Sequence, residues 1–127
     1  MIRDHHNELR VTLTGDTPLN RAVGVVFRLF DDGFGFRYAY DVIPAGQAVE
    51  VTAERTEFRP AGAWQAWWYQ ALGSDRDEYL YTQTDARRIT LAETPLAMKG
   101  ADGVHLSFHG AALVDFPSML LQGDGAG

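Results

Sequence analysis

Cysteine is absent from this 127-residue chain. No disulfide frame and no thiolate chemistry are open to it. The absence leaves the compartment undecided. Lysine occurs once, as Lys99, and acids outnumber Lys plus Arg by 17 to 11, for a net charge of −6. A nucleic-acid partner calls for clustered Lys and Arg, so this balance speaks against one. No apolar run approaches the roughly 20 residues of a membrane-spanning helix, which speaks against a membrane. The opening Met1-Ile2-Arg3-Asp4-His5-His6-Asn7-Glu8 has no apolar signal core. Gly-x-Ser-x-Gly, a Walker loop and His-Glu-x-x-His are missing. Gly33-x-Gly35 is no dinucleotide loop, because it lacks a third Gly and a following helix. No internal repeat and no long helical pattern is found.

What is present is a chain with 46% hydrophobic residues, enough to exclude disorder. Its length suits one domain, with roughly two thirds of the unfolded surface removed from water. The central stretch is Phe27 to Tyr40. Val23, Val25, Phe27 and Leu29 recur at every second position, and Phe34, Phe36, Tyr38 and Tyr40 do the same. Period two places each set on one face of a sheet. The pattern predicts a hairpin turned at Asp32-Gly33, with Gly33 at positive φ. Its aromatic face is expected in the middle of a sheet, building the core. Arg28 and Arg37 fall on the other face. Gly24 and Gly35 fall there too, where a small residue lets another layer approach.

Further strands are expected around this hairpin. Leu9, Val11 and Leu13 alternate with Glu8, Arg10, Thr12 and Thr14. Gly15-Asp16-Thr17-Pro18, Pro44-Ala45-Gly46 and Pro60-Ala61-Gly62 read as turns. Ala48 to Glu54 alternates, with Val49 and Val51 inward and Phe58 anchoring its end. Ile89 to Ala92 reads as a short strand. Leu96–Met98 and Val104–Phe108 flank a hairpin turn at Lys99 to Gly103. Ala111–Val114 and Met119–Leu121 close the apolar pattern. Many short strands with turns between them indicate an all-β antiparallel sandwich over residues 1–122, with 123–127 a flexible tail.

Few residues offer chemistry. His105, Ser107 and His109 share one strand face, but positions four apart on a strand lie roughly 13 Å apart, too far for one small ion. Asp75, Asp77 and Glu78 bunch in a loop without the EF-hand order. Glu54 and Glu57 flank Thr56; paired acids serve glycoside hydrolysis, and they also make the polar side of a strand. Trp67, Trp68 and Tyr69 form a candidate sugar platform. Successive strand residues point opposite ways, so at least one Trp is expected in the core.

Five segments in order carry a resemblance. Phe27-Arg28-Leu29-Phe30-Asp31-Asp32-Gly33-Phe34-Gly35-Phe36-Arg37-Tyr38 resembles the "FRvFdDGvaFRY" segment of glycoside hydrolase family 97. Glu54-Arg55-Thr56-Glu57-Phe58 is similar to its "E-x-T-E-F". Trp67-Trp68 followed by Glu78-Tyr79-Leu80-Tyr81 resembles "WW…YExLY". Thr94-Pro95-Leu96-Ala97-Met98-Lys99, then Asp102-Gly103, resembles "TPLTmK…dG". Leu106 to Met119 resembles "lsIHEAALvDYpxM". The resemblance runs from about Glu8 to Leu121.

The resemblance implies an exo-acting α-glucosidase or α-galactosidase, exported to the periplasm. The family has an N-terminal β-super-sandwich, a catalytic (β/α)8 barrel and a C-terminal β-domain. These residues resemble part of the sandwich, so no catalytic role passes to them. The family's sandwich contributes a glutamate, in "HEAAL", to a calcium ion at the sugar site. Here that position is Gly110, which supplies no oxygen; water would have to stand in. Phe116 replaces the usual Tyr. His109, Gly110, Trp67, Trp68 and Glu78 are thus the candidates for facing the sugar or the barrel.

The first expectation is a non-catalytic sandwich segment that walls a sugar pocket, inactive by itself. The sugar would be an α-linked one, reached through the parent enzyme. The second is a stand-alone β-sandwich module binding a sugar or a protein through Trp67-Trp68-Tyr69. The third is a fragment with no function of its own, suggested by the abrupt strand at Glu8. For such a fragment, unpaired edges predict self-association.

Overall fold

The computed structural model describes residues 4–15, 22–40, 46, 50–73, 79–114 and 116–125. The chain forms two compact units, Met1–Glu54 and Arg55–Gly127. Strands dominate both, and every pairing among the described residues is antiparallel. One 3-10 turn is the sole helical element among the described residues.

The first unit is a meander of β1 (Asn7–Thr14), β2 (Ala22–Leu29) and β3 (Phe34–Ala39), with β2 in the centre. Alternation sets its register. Val25 faces Val11 and Tyr38, Phe27 faces Leu9 and Phe36, and Leu29 faces Phe34. Cross-strand partners share a face, so the three strands present one continuous apolar surface. Phe36 stacks near Phe27 and edge-on to Tyr38, at 6.1 and 6.0 Å between centroids. The reverse face carries Glu8, Arg10, Arg28 and Arg37, and Glu8 receives a 2.8 Å bond from Arg28 Nε. Gly24 lies there under the Arg10 guanidinium; a Cβ would meet Ala39 Cβ at 3.2 Å and Arg10 Nη2 at 3.4 Å.

Three expectations for this hairpin need correction. Its tip is Asp31-Asp32, because Phe30 N–H donates to the Gly33 carbonyl at 2.8 Å. Gly33 then continues the strand path and does not adopt the left-handed region. A Cβ at Gly35 would meet nothing within 4 Å, so no layer approaches there. The apolar face is not the main core either. Val25 is buried, but Leu9, Leu13, Leu29 and Phe34 are 53–66% exposed.

Among the described residues the buried cluster lies in the second unit. There β4 (Trp64–Trp68), β5 (Thr82–Asp85), β7 (Leu96–Gly100) and β8 (His105–Phe108) form a sheet in the order β5-β4-β7-β8. The 3-10 turn Ala86–Arg88 follows β5. β6 (Leu91–Glu93) and β9 (Leu120–Gln122) pair separately. Ala66, Met98 and Leu106 sit opposite one another across three strands. Trp68, Leu96 and Phe108 extend the same face, and Ile89 and Ala92 close on it. Burying residues of this size stabilises by about 1.5–3 kcal/mol each. Trp68 satisfies its indole N–H on Thr84 Oγ1 at 2.9 Å.

The turn between β7 and β8 is as expected. Gly103 has φ +87°, and Gly100 N–H donates to the Val104 carbonyl at 2.8 Å. Asp102 Oδ1 accepts from Val104 N–H at 3.1 Å. Phe58 packs on Phe108 at 5.0 Å between ring centroids, not at the end of the expected strand. The strand expected over Ala48–Glu54 does not form across 50–54, and Val51 is 47% exposed. Its first part, like Pro44 and Ala45, lies outside the described residues. Ala111–Val114 is irregular and open to solvent, with Val114 77% exposed. Gly123 docks beyond β9: its N–H donates to the Thr90 carbonyl at 3.0 Å, and a Cβ would overlap the Ile89 carbonyl.

Candidate functional site

The loop that leaves β8 is the first candidate. β8 is an outer strand of its sheet, alternating Leu106 and Phe108 inward with His105 and Ser107 outward. His109 and Gly110 follow at its end, and both are exposed. They are not part of the core. Gly110 sits beside Leu113; a Cβ would meet Leu113 Cδ2 at 3.1 Å. A flexible side-chain end can give that much, so the backbone here tolerates a larger residue.

The tryptophans divide as strand geometry requires. Trp68 is 6% exposed and belongs to the core. Trp67 stands on the opposite face, half-buried, between Gln83 on β5 and Ala97 on β7. Tyr69 is buried and packs against Tyr81 and Tyr79 at 5.1 and 6.3 Å. These three side chains do not form one exposed platform, because they alternate through the sheet. Glu78 lies outside the described residues, as do Asp75 and Asp77. Glu57 is taken up by Arg59, at 2.7 and 3.0 Å, while Glu54 is exposed.

The side chains of the loop from His109 to Ala112 offer calcium no oxygen ligand. Ca²⁺ takes six to eight oxygen ligands. Gly110, Ala111 and Ala112 offer no side-chain oxygen, and His109 offers nitrogen. Among the described residues no three His, Asp or Glu side chains gather into a metal-sized group.

The second unit also holds a feature that no sequence pattern marked. A slot of about 190 Å³ opens between the start of β4 and the 3-10 turn. Pro60, Ala63, Trp64 and Met98 line it, with Asp85 and Arg87 beside them. Asp85 Oδ1 accepts from Arg87 N–H and Nε at 3.0 and 2.9 Å, and Oδ2 accepts from Nη2 at 2.6 Å. Those bonds hold the Asp85 carboxyl well below its ordinary range, at about 2.

The described residues thus form short antiparallel strands, with an exposed loop after β8. The sequence model described as "Glycosyl-hydrolase 97 N-terminal" matches residues 1–127. The chain belongs to this family, as part of its N-terminal β-sandwich domain. It is similar to a glycoside hydrolase family 97 enzyme from Pseudoalteromonas sp. strain K8, solved in complex with panose and in complex with acarbose. In both cases identity is 42% and the TM-score 0.81. The match covers 94% of this chain and 18% of that one, so this chain spans less than a fifth of the relative.

Proposed function

We propose that this chain is a non-catalytic segment of the N-terminal sandwich of an α-glycosidase, where it walls the sugar pocket beside a catalytic barrel. The observation that carries the reading is the exposed His109–Gly110 loop at the end of an outer strand. That loop occupies the position of the family's "HEAAL" motif. In the parent the substrate is an α-linked oligosaccharide, of the class that panose represents for the relative. Export to the periplasm belongs to the same reading. At Gly110 the segment contributes backbone and space in place of a carboxylate.

Two measurements test this. The chain alone is expected to release no glucose from panose; turnover above buffer overturns the non-catalytic role. Exchanging this segment into the Pseudoalteromonas enzyme tests the position. The chimera is expected to need at least about tenfold more calcium for activity, since losing a ligand outright costs more than losing a residue that only orients one. Gly110→Glu is expected to reverse that. A chimera with unchanged calcium demand shows that the loop does not face the site.

A further inference from the structure

The reverse face of the first sheet sets arginines beside a strand floor that nothing covers. The register fixes its rows. Glu8, Arg28 and Gly35 lie side by side, and Arg10, Val26 and Arg37 form the next row. The face has two further glycine-scale contrasts. At Gly24 the space is taken, because an added Cβ would meet Arg10 Nη2 at 3.4 Å. At Gly35 an added Cβ would meet nothing within 4 Å. Gly35 is not among the glycines with positive φ, so backbone conformation does not call for a glycine there. Bare backbone is thus left between Arg28, its neighbour on β2, and Arg37, the next residue of β3 on the same face.

The charges on this face are unequal. Glu8 accepts from Arg28 Nε at 2.8 Å, which uses one of the five N–H donors of that guanidinium. The Arg28 bond chiefly, and the Arg37 charge more weakly, draw the Glu8 carboxyl below its usual range. The charge of Arg37 therefore reaches the row of Arg28. Asp4 adds a second negative charge near Arg28, and His6 Nδ1 lies 2.8 Å from its Oδ1. Among the described residues, Arg10, Arg28 and Arg37 against Glu8 and Asp4 leave this end of the sheet positive, on a chain of net charge −6. One further carboxylate would balance it. A guanidinium suits that group, since its planar fork can give a carboxylate two parallel bonds.

We propose that the space over Gly35 seats one carboxylate between Arg28 and Arg37, and that the longer enzyme's own chain supplies it as an Asp or Glu side chain. Magnitude argues for that source. One charge-assisted contact shifts an equilibrium about 10- to 150-fold, short of the roughly thousandfold behind a millimolar complex of free molecules. A seat this shallow fills when other contacts of the same folded chain already hold the carboxylate beside it. This chain spans less than a fifth of the relative, so most of the polypeptide able to do so lies outside it. The proposal rests on this chain being a segment of a longer enzyme, and not on where the His109–Gly110 loop faces.

Acetate titration of the 127-residue chain, read by the Arg Nε–H peaks in NMR, tests the seat. Acetate replaces chloride at constant ionic strength. The Arg28 and Arg37 peaks, identified by Arg28→Gln and Arg37→Gln, are expected to move saturably with a Kd of about 10–100 mM. Gly35→Val fills the space, keeps the charge and suits a strand. It is expected to weaken acetate at least about fivefold, and Arg37→Gln, at an exposed position, is expected to do the same if Gly35→Val fails to fold. Peaks that stay still, or that move equally in Gly35→Val, overturn the seat. The source is tested in the chimera of this segment with the Pseudoalteromonas enzyme. There Gly35→Val and Arg37→Gln are each expected to lower the unfolding midpoint at least about 2 °C further than in the isolated chain. Equal shifts in both proteins overturn the longer chain as the source. Calcium demand of the chimera reads the His109–Gly110 loop and is expected to stay unchanged in both variants, so the two readings fail separately.

Discussion

Asp85 shows how much one local bond pattern can do on an exposed surface. Its carboxylate takes one backbone and two side-chain bonds from Arg87, and the side-chain bonds are the larger cause of its pKa near 2. The folded value lies below the ordinary 3.8. The pair therefore adds stability that is complete above about pH 4 and is lost as pH falls through about 2. Carboxyl NMR is expected to place the Asp85 midpoint near 2 and to move it upward toward 3.8 in Arg87→Gln. An unmoved midpoint would show that another group holds the proton off. Trp68 makes the opposite case, a residue whose work is burial. At 6% exposed, with its N–H satisfied on Thr84, it leaves a large hole when removed. Trp68→Ala is expected to destabilise by about 3–5 kcal/mol in urea unfolding. Trp67→Ala, on the other face and half-buried, is expected to cost clearly less. Equal losses would contradict the alternation of β4.

At the scale of elements, the first unit's sheet carries an unusual surface. Leu9, Leu13, Leu29 and Phe34 lie on one face and are all more than half exposed. A patch of this kind is a liability for association. Phe34→Thr is expected to change stability by less than about 0.5 kcal/mol, because Phe34 is 66% exposed. The same change is expected to lower self-association in sedimentation velocity. A monomer before and after substitution would remove the expectation. These strands were legible because alternation is local: each residue's face follows from its neighbours in sequence. Other elements were not legible for physical reasons. Glu50 to Glu54 alternates as well as β1 does, yet no strand forms there. Alternation cannot say whether a partner edge exists. Thr82–Asp85 has no apolar alternation, and it becomes β5 because β4 offers an edge. β6 joins β9 across a long stretch of chain, which no short pattern encodes. The His109–Gly110 loop was legible through the ordered motifs of the family. The slot beside Trp64 was not, since Pro60, Trp64, Ala86 and Met98 reach it from separate stretches of the chain.

At the scale of the molecule, the two units are unequally secured. The second holds a connected buried cluster of Ala66, Trp68, Ile89, Ala92, Leu96 and Met98. The first buries only Val25, Val26 and Ala39 among its described hydrophobic residues. Ordering a residue's backbone costs about 1–2 kcal/mol, and burial of apolar side chains is the main offset. A three-stranded sheet with so few buried side chains has little offset of its own. Local stability should follow that difference. Hydrogen exchange read by mass spectrometry is expected to show the slowest amides in β4 and β7, the two central strands of the larger sheet. β3, an outer strand with Phe34 open to solvent, is expected to exchange much faster. Denaturant added in small steps is expected to release β1–β3 before β4 and β7. If all strands exchange at one rate and respond to denaturant together, the chain unfolds as a single cooperative body. The unequal burial would then be offset by contacts of another kind, and the stability of the first sheet would have to be sought outside its own side chains.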